Sequence, residues 1–139
     1  MKFVVFVHAN EESEAGVMPS EAELAEMTEF NEQLVSAGVM LAGEGLHPTS
    51  RAARIDYDGD DATLTDGPFA ESKEIVAGFW ILQGRSLDEI KEWMRKAPFR
   101  EGSVTIRQVF SDDDFGDEFT PELREREAEM RRKVEEQAG

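Results

Sequence analysis

Two segments of this sequence are apolar at every position but one, and they restrict the fold more than any other feature. Residues 3–7 read FVVFV and residues 75–82 read IVAGFWIL. Both are rich in β-branched and aromatic residues, the composition of a strand buried on both faces. A sheet built around such strands must be covered twice. The rest of the chain is therefore read for what it can lay over them.

Ser20-Glu21-Ala22-Glu23 is a capping box, in which the serine hydroxyl accepts from the Glu23 amide and the Glu23 carboxylate reaches back. Leu24, Met27, Phe30 and Leu34 follow at helical spacing, and Gly38 supplies a left-handed stop. Ser86-Leu87-Asp88-Glu89 reads as a second capping box. It opens a helix with a stripe of Leu87, Ile90, Met94 and Ala97, flanked by Trp93 and ended by Pro98. Residues 9–19 read as a loop. Val39–Ala42 reads as a short strand and Val104–Phe110 as the last core strand. Around the Asp58-Gly59 turn signal, residues 52–57 and 62–65 read as a β-hairpin.

The order is βαββαβ, the α+β ferredoxin-like plan, with a hairpin inserted between its halves. Its two helices cover one face of the sheet. Along 75–82, Phe79 and Ile81 point one way and Trp80 and Leu82 the other. The reading leaves Trp80, Leu82 and their neighbours in need of cover. Burying each such side chain is worth roughly 1.5–3 kcal/mol, so a second protomer is expected, sheet against sheet, closing a dimeric α/β barrel. Residues 1–110 make this domain. Residues 111–139 carry eleven acidic and five basic side chains and form an acidic extension, whose helical tail starts at Thr120-Pro121.

Charge and composition exclude several functions. Against 15 Lys and Arg stand 31 Asp and Glu, a formal net charge of −16, which repels a phosphate backbone and argues against a nucleic-acid partner. Without cysteine there is no disulfide, zinc–thiolate site or thiol nucleophile. No apolar run approaches the ~18 residues of a membrane span. The first residues lack the apolar core of a signal peptide, so a cytoplasmic protein without a membrane partner is expected.

The chemistry-bearing residues are few. His8 and His47 are the only imidazoles. His47 lies in the Gly43–Pro48 loop, where Glu44 or Asp66 is positioned to orient its ring for proton transfer; the plainer reading is an exposed loop histidine beside Pro48. His8 continues the face of Val4 and Phe6, either lining a space between sheets or serving as a hydrogen-bonded structural residue. No His-x-x-x-His or His-x-His spacing supports a metal site, and none is expected. Asp56–Asp61 imitates a calcium loop but has Asp61 and Gly67 where the motif needs Gly and Glu. Gly43-x-Gly45 is too short for a dinucleotide fingerprint, there is no Walker sequence, and no serine sits in a nucleophile elbow. No cofactor is expected.

The most distinctive string is Asp66-Gly67-Pro68-Phe69-Ala70-Glu71-Ser72-Lys73-Glu74. Gly67 and Pro68 suit a tight turn, and Phe69 suits the core or a ligand. Lys73 is placed to meet an anionic ligand or, as the simpler account, to pair with Glu71 or Glu74. Trp80 is the other aromatic candidate for packing a ligand.

This string resembles the signature of the YCII-related family, in particular its DGPF branch. Residues 9–19, Gly43–Pro48, Gly78-Phe79-Trp80 and the stretch Phe115-Gly116 to Leu123 resemble that branch as well. The resemblance implies a dimeric α/β barrel of ferredoxin-like protomers. The smaller YCII proteins are similar in fold to muconolactone isomerase and carry a proposed His–Asp pair, but the corresponding positions here fall near Met27 and Ala97. The resemblance thus does not supply a catalytic dyad. It also implies an occasional link to sigma factors, which for so acidic a chain means protein–protein contact. Two functions remain open: a homodimeric module binding a small molecule or a protein, the one favoured, and a small-molecule isomerase or lyase using His47 with a carboxylate.

Overall fold

The computed structural model describes residues 1–69 and 75–138. Residues 70–74, and with them Lys73, lie outside the described residues. The chain forms two compact units, Met1–Gln108 and Val109–Gly139.

The first unit runs β1 (Lys2–His8), α1 (Glu11–Glu14), α2 (Glu21–Ser36), β2 (Met40–Gly45), β3 (Ala53–Asp58), β4 (Asp61–Asp66), β5 (Val76–Gln83), α3 (Leu87–Arg95) and β6 (Val104–Gln108). A four-stranded sheet has the order β2-β5-β1-β6, and β3 and β4 form a separate hairpin. All four-stranded pairings are antiparallel. This is the ferredoxin-like α+β order with a hairpin inserted after β2. The sheet of the single chain is open, with β2 and β6 at its edges, and does not close into a barrel.

Local chemistry sets the element ends. Ser20 caps α2 by accepting from the Glu23 amide, and Glu23 accepts from the Ser20 amide. Gly38 takes φ +72 just after the helix, a conformation with a steric cost for any residue bearing a Cβ. At α3 only half of the expected box forms. Ser86 accepts from the Glu89 amide, but the Glu89 carboxylate accepts from the Arg85 amide at 2.7 Å. That helix ends at Arg95, before Pro98. The expected loop 9–19 contains the one-turn α1, because Asn10 and Ser13 form a capping box of their own.

Core packing corrects the assignment of faces. Phe3, Val5, Trp80 and Leu82 are buried with Phe30 and Leu34 of α2 and Ile90 of α3. The register pairs Phe3 with Leu82 and Val5 with Trp80, so all four strand residues lie beneath the helices. Trp80 and Leu82 therefore need no second protomer. The opposite face carries Val4 paired with Ile81 and Phe6 paired with Phe79, all half-buried and none of them part of the helix-covered core. Periodicity had separated the two sets correctly; it carries no information about which set the helices take. Trp93, expected at the flank of α3, also packs on the core, whereas Leu24 and Leu87 are exposed.

The second unit has a 3-10 segment, Asp112–Glu118, and α4, Pro121–Ala138. Phe110, Phe115 and Phe119 stack in a row, with successive ring centroids 5.0 and 5.5 Å apart. Arg124 lies over Phe119 and donates to the carbonyl oxygens of Phe119 and Asp112. Thr120 caps α4 by accepting from the Leu123 amide. No residue of α4 is buried.

Candidate functional site

Two concavities in the first unit hold most of the candidate residues, and they divide them. The first, a cleft of about 390 Å³, runs between α2 and the β2–β5 pair. Met27, Asn31, Glu44, Trp80 and Phe99 border it. Its floor is rigid for a stated reason. Trp80 is 5% exposed and meets Phe30 and Phe99 edge to face at 5.9 and 6.1 Å, the arrangement aromatic quadrupoles favour. The indole Nε1–H donates to Asn31 Oδ1 at 2.9 Å. An indole nitrogen only donates, so the amide oxygen must face it and the Asn31 NH₂ group is left for other partners. Gly43 is required at this point. A Cβ there would come within 2.8 Å of Trp80 Cδ1 and 2.7 Å of Met40 Cε. Among the described residues Glu44 is the one charged side chain bordering the cleft, on a strand end where it pairs with Phe79.

The second concavity is a groove of about 440 Å³ whose lining mixes the polar His47, Thr49, Arg51 and Arg54 with the apolar Leu46, Pro48, Phe69, Ile75 and Val76. No residue borders both it and the cleft. His47 is exposed, and Arg51 Nη1 lies 3.0 Å from its Nε2 and 3.3 Å from its Nδ1. A guanidinium offers only donors. It therefore does not orient the ring for proton abstraction as a carboxylate does. Arg54 places its guanidinium carbon 4.3 Å above the Phe69 ring, within cation–π range.

The groove is framed by polar ties. Thr49, 8% exposed, donates its amide and hydroxyl to the Glu14 carboxylate at 3.0 and 2.5 Å. Its hydroxyl oxygen also accepts from the Phe69 amide at 3.1 Å. Gly67 passes directly against this turn, and a Cβ on it would fall 1.7 Å from the Thr49 carbonyl oxygen. The Gly-Pro-Phe part of the distinctive string thus has a structural duty. It holds the chain after β4 against residues 49–52, where Gly67 also donates to the Ala52 carbonyl. Phe69 is half-buried beneath Arg54 and outside the core cluster.

The predicted residues are therefore not one constellation. Glu44 and Trp80 meet at the cleft; His47 and Phe69 meet at the groove. Asp66 is exposed at the end of β4, pairs with Ala53 across the hairpin, and borders neither. His8 stands on the uncovered sheet face. Its Nε2 lies 2.6 Å from Thr105 Oγ1, and its Nδ1 is buried without a partner among the described residues. Among the described residues no group of three or more His, Asp or Glu is placed to hold a metal ion, and no helix is long and apolar enough to cross a membrane.

Sequence reasoning missed Asn31, Arg51, Arg54 and Thr49. Asn31 sits four residues after Met27 on the apolar side of α2, a polar residue out of place on a buried stripe, which is a usable signal. The two arginines are conspicuous by position: residues 1–84 contain only Lys2, Arg51, Arg54 and Lys73 as cations. Nothing local to Thr49 announces its contact with Glu14, 35 residues away.

A further concavity of about 620 Å³ lies in the second unit along α4, bordered by Phe119, Leu123, Arg126 and Met130. Among the described residues, none of the predicted site residues borders it.

Comparison with known proteins gives relatives rather than a chemistry. An uncharacterized protein of Rhizobium meliloti (strain 1021) is 30% identical over 89 residues, covering 62% of this chain and 72% of that protein. Among solved structures, a 5-chloro-2-hydroxyhydroquinone dehydrochlorinase from Burkholderia phenoliruptrix, in complex with 2,5-dihydroxybenzoquinone, matches over 79% of this chain and 94% of its own. It shares 15% identity at a TM-score of 0.42, too distant to carry an argument about site or activity. The model of the YCII-related domain matches residues 1–115, and on that match the chain belongs to the YCII-related family.

Proposed function

We propose that the protein is a homodimeric binding module that takes a small, largely apolar molecule in the cleft beside Trp80. The observation that carries this reading is the separation of His47 from Glu44. The cleft has a carboxylate acceptor and the Asn31 amide but no imidazole, and the imidazole at the groove has a guanidinium for its neighbour. Apolar walls with a few fixed polar groups are the usual makeup of a small-molecule pocket. The ligand class follows from the lining: an aromatic or alicyclic body against Trp80, Phe99 and Met27, with a hydroxyl or amine donating to Glu44. The histidine of the smaller family members falls near Met27, and Met27 borders this cleft, which favours a pocket kept without the proton-transfer group.

A second copy is proposed as the cover for the face of Val4, Phe6, Phe79 and Ile81. These side chains are already half-buried, so each has only part of the roughly 1.5–3 kcal/mol of full burial left to gain, and together these gains favour association. Sedimentation equilibrium is expected to give a dimer at micromolar concentration, converted to monomer by Phe6→Asp. A stable monomer of the unaltered chain sinks the dimer.

The binding reading is tested by a thermal-shift screen of neutral hydroxylated aromatics. A ligand well above its dissociation constant raises the melting temperature, and Glu44→Gln is expected to weaken that shift. Chromatography with mass detection, which resolves isomers by retention and fragments by mass, decides against the reading if a stabilising compound is converted. In that case the isomerase or lyase alternative takes its place.

A further inference from the structure

The groove bordered by His47 carries chemistry that the cleft does not. In a chain of net charge −16, Arg51 and Arg54, two of the four basic side chains of residues 1–84, border one concavity beside His47. Gathering like charges costs Coulombic energy. In contrast, Arg85, Arg95, Arg100, Arg124, Arg131 and Arg132 each meet a carboxylate within 4 Å. Among the described residues, the side chains of Arg51 and Arg54 instead contact an imidazole and an aromatic face, partners that hold a guanidinium in place without neutralising it. The rest of the groove's lining is largely apolar and includes Leu46, Pro48, Ile75 and Val76. A volume of about 440 Å³ is in the range of small-molecule sites.

We propose that this groove is a second ligand site that binds a small organic carboxylate, with the anionic head against Arg51, Arg54 and His47 and the apolar body against Ile75 and Val76. Planar guanidinium groups match carboxylate geometry through paired N–H donors. The polar ties among Glu14, Thr49 and Phe69 fix the turn from which Arg51 projects, so the donors are held before the ligand arrives. The mixed lining sets the specificity. An inorganic anion satisfies the cationic groups alone, and an uncharged aromatic satisfies the apolar groups alone.

The test uses the full chain and three probes, benzoate, its uncharged methyl ester, which has no hydroxyl or amine to donate to Glu44, and inorganic phosphate, titrated by calorimetry at low ionic strength. Benzoate is expected to bind saturably in the millimolar range or tighter, more tightly than phosphate, with methyl benzoate at least tenfold weaker. Arg51→Gln and Arg54→Gln are each expected to weaken benzoate about tenfold. Both side chains are exposed, and unchanged near-ultraviolet circular dichroism will show that the variants stay folded. Arg95→Gln removes the same charge from α3, away from the groove lining, and is expected to leave benzoate affinity unaltered. The proposal is overturned by absence of benzoate binding, by phosphate binding more tightly than benzoate, or by an equal loss in Arg95→Gln. Because cleft and groove share no bordering residue, Glu44→Gln is expected not to change benzoate affinity, which separates failure here from failure of the cleft reading.

Discussion

The cleft and the groove lie in the same unit, and both border the β2–β5 region, yet they are built by opposite means. The cleft is a by-product of the core: its floor is the indole of Trp80, locked by Phe30, Phe99 and Asn31. The groove is made of loops, and what holds it is a carboxylate, a hydroxyl and a glycine. Close packing makes the first depend on volume, since interiors tolerate neither voids nor excess. Hydrogen-bonded framing makes the second depend on satisfied polar groups, since a buried amide without a partner carries its full desolvation cost.

Trp80→Ala is the most severe way to break the comparison. It removes a large buried side chain and the floor of the cleft together, with an expected loss of about 3–5 kcal/mol, read from urea unfolding. Gly67→Ala attacks the groove's frame. The added methyl collides with the Thr49 backbone, and the chain must shift, at an expected cost of about 1–3 kcal/mol or more. Limited proteolysis of the native state is expected to cut this variant faster near residues 66–69 than near α2. Glu14→Ala is milder, because Thr49 keeps its Phe69 contact but loses the acceptor for its amide; about 1–3 kcal/mol is expected, with faster amide exchange at Thr49. Smallest is Arg100→Gln. Arg100 is fully exposed, and its guanidinium is held more firmly protonated by the hydrogen bond and charge of Glu26. Loss of that pair is expected to leave the melting temperature within error, and a larger drop there shows that α2 is anchored by more than its apolar face.

The core was legible in the sequence and the groove was not, for the same physical reason that separates them. Capped amphipathic helices and two-faced strands are written locally, in periods of 3.6 and 2, so α2, α3, β1 and β5 could be placed from residues alone. Which alternating set of β5 meets the helices depends on the direction in which the chain enters the sheet. Trp80 and Phe79 are interchangeable to a periodicity argument and opposite in the structure. His47 shows the same limit at the site. Glu44 and Asp66 were plausible neighbours by separation and charge, but a 3-10 turn at Thr49–Arg51 brings Arg51 back to the imidazole. Four residues of spacing in a turn thus decided the partner. The first residues of the distinctive string Asp66–Glu74 have a mechanical role that its composition does not announce, since Gly67 is the residue that fits against the Thr49 carbonyl.

The strand order has a consequence for synthesis. β1 lies inside the sheet, between β5 and β6, so its two hydrogen-bonding edges await partners that leave the ribosome about seventy and a hundred residues later. Until then FVVFV is a bare apolar ribbon of the kind that pairs with other chains. A nascent chain halted before Val104 has one edge of β1 open, and one halted before Val76 has both. Folding of the first unit is therefore expected to wait for its last strand, and a product truncated within α3 is expected to aggregate rather than to persist as a smaller domain.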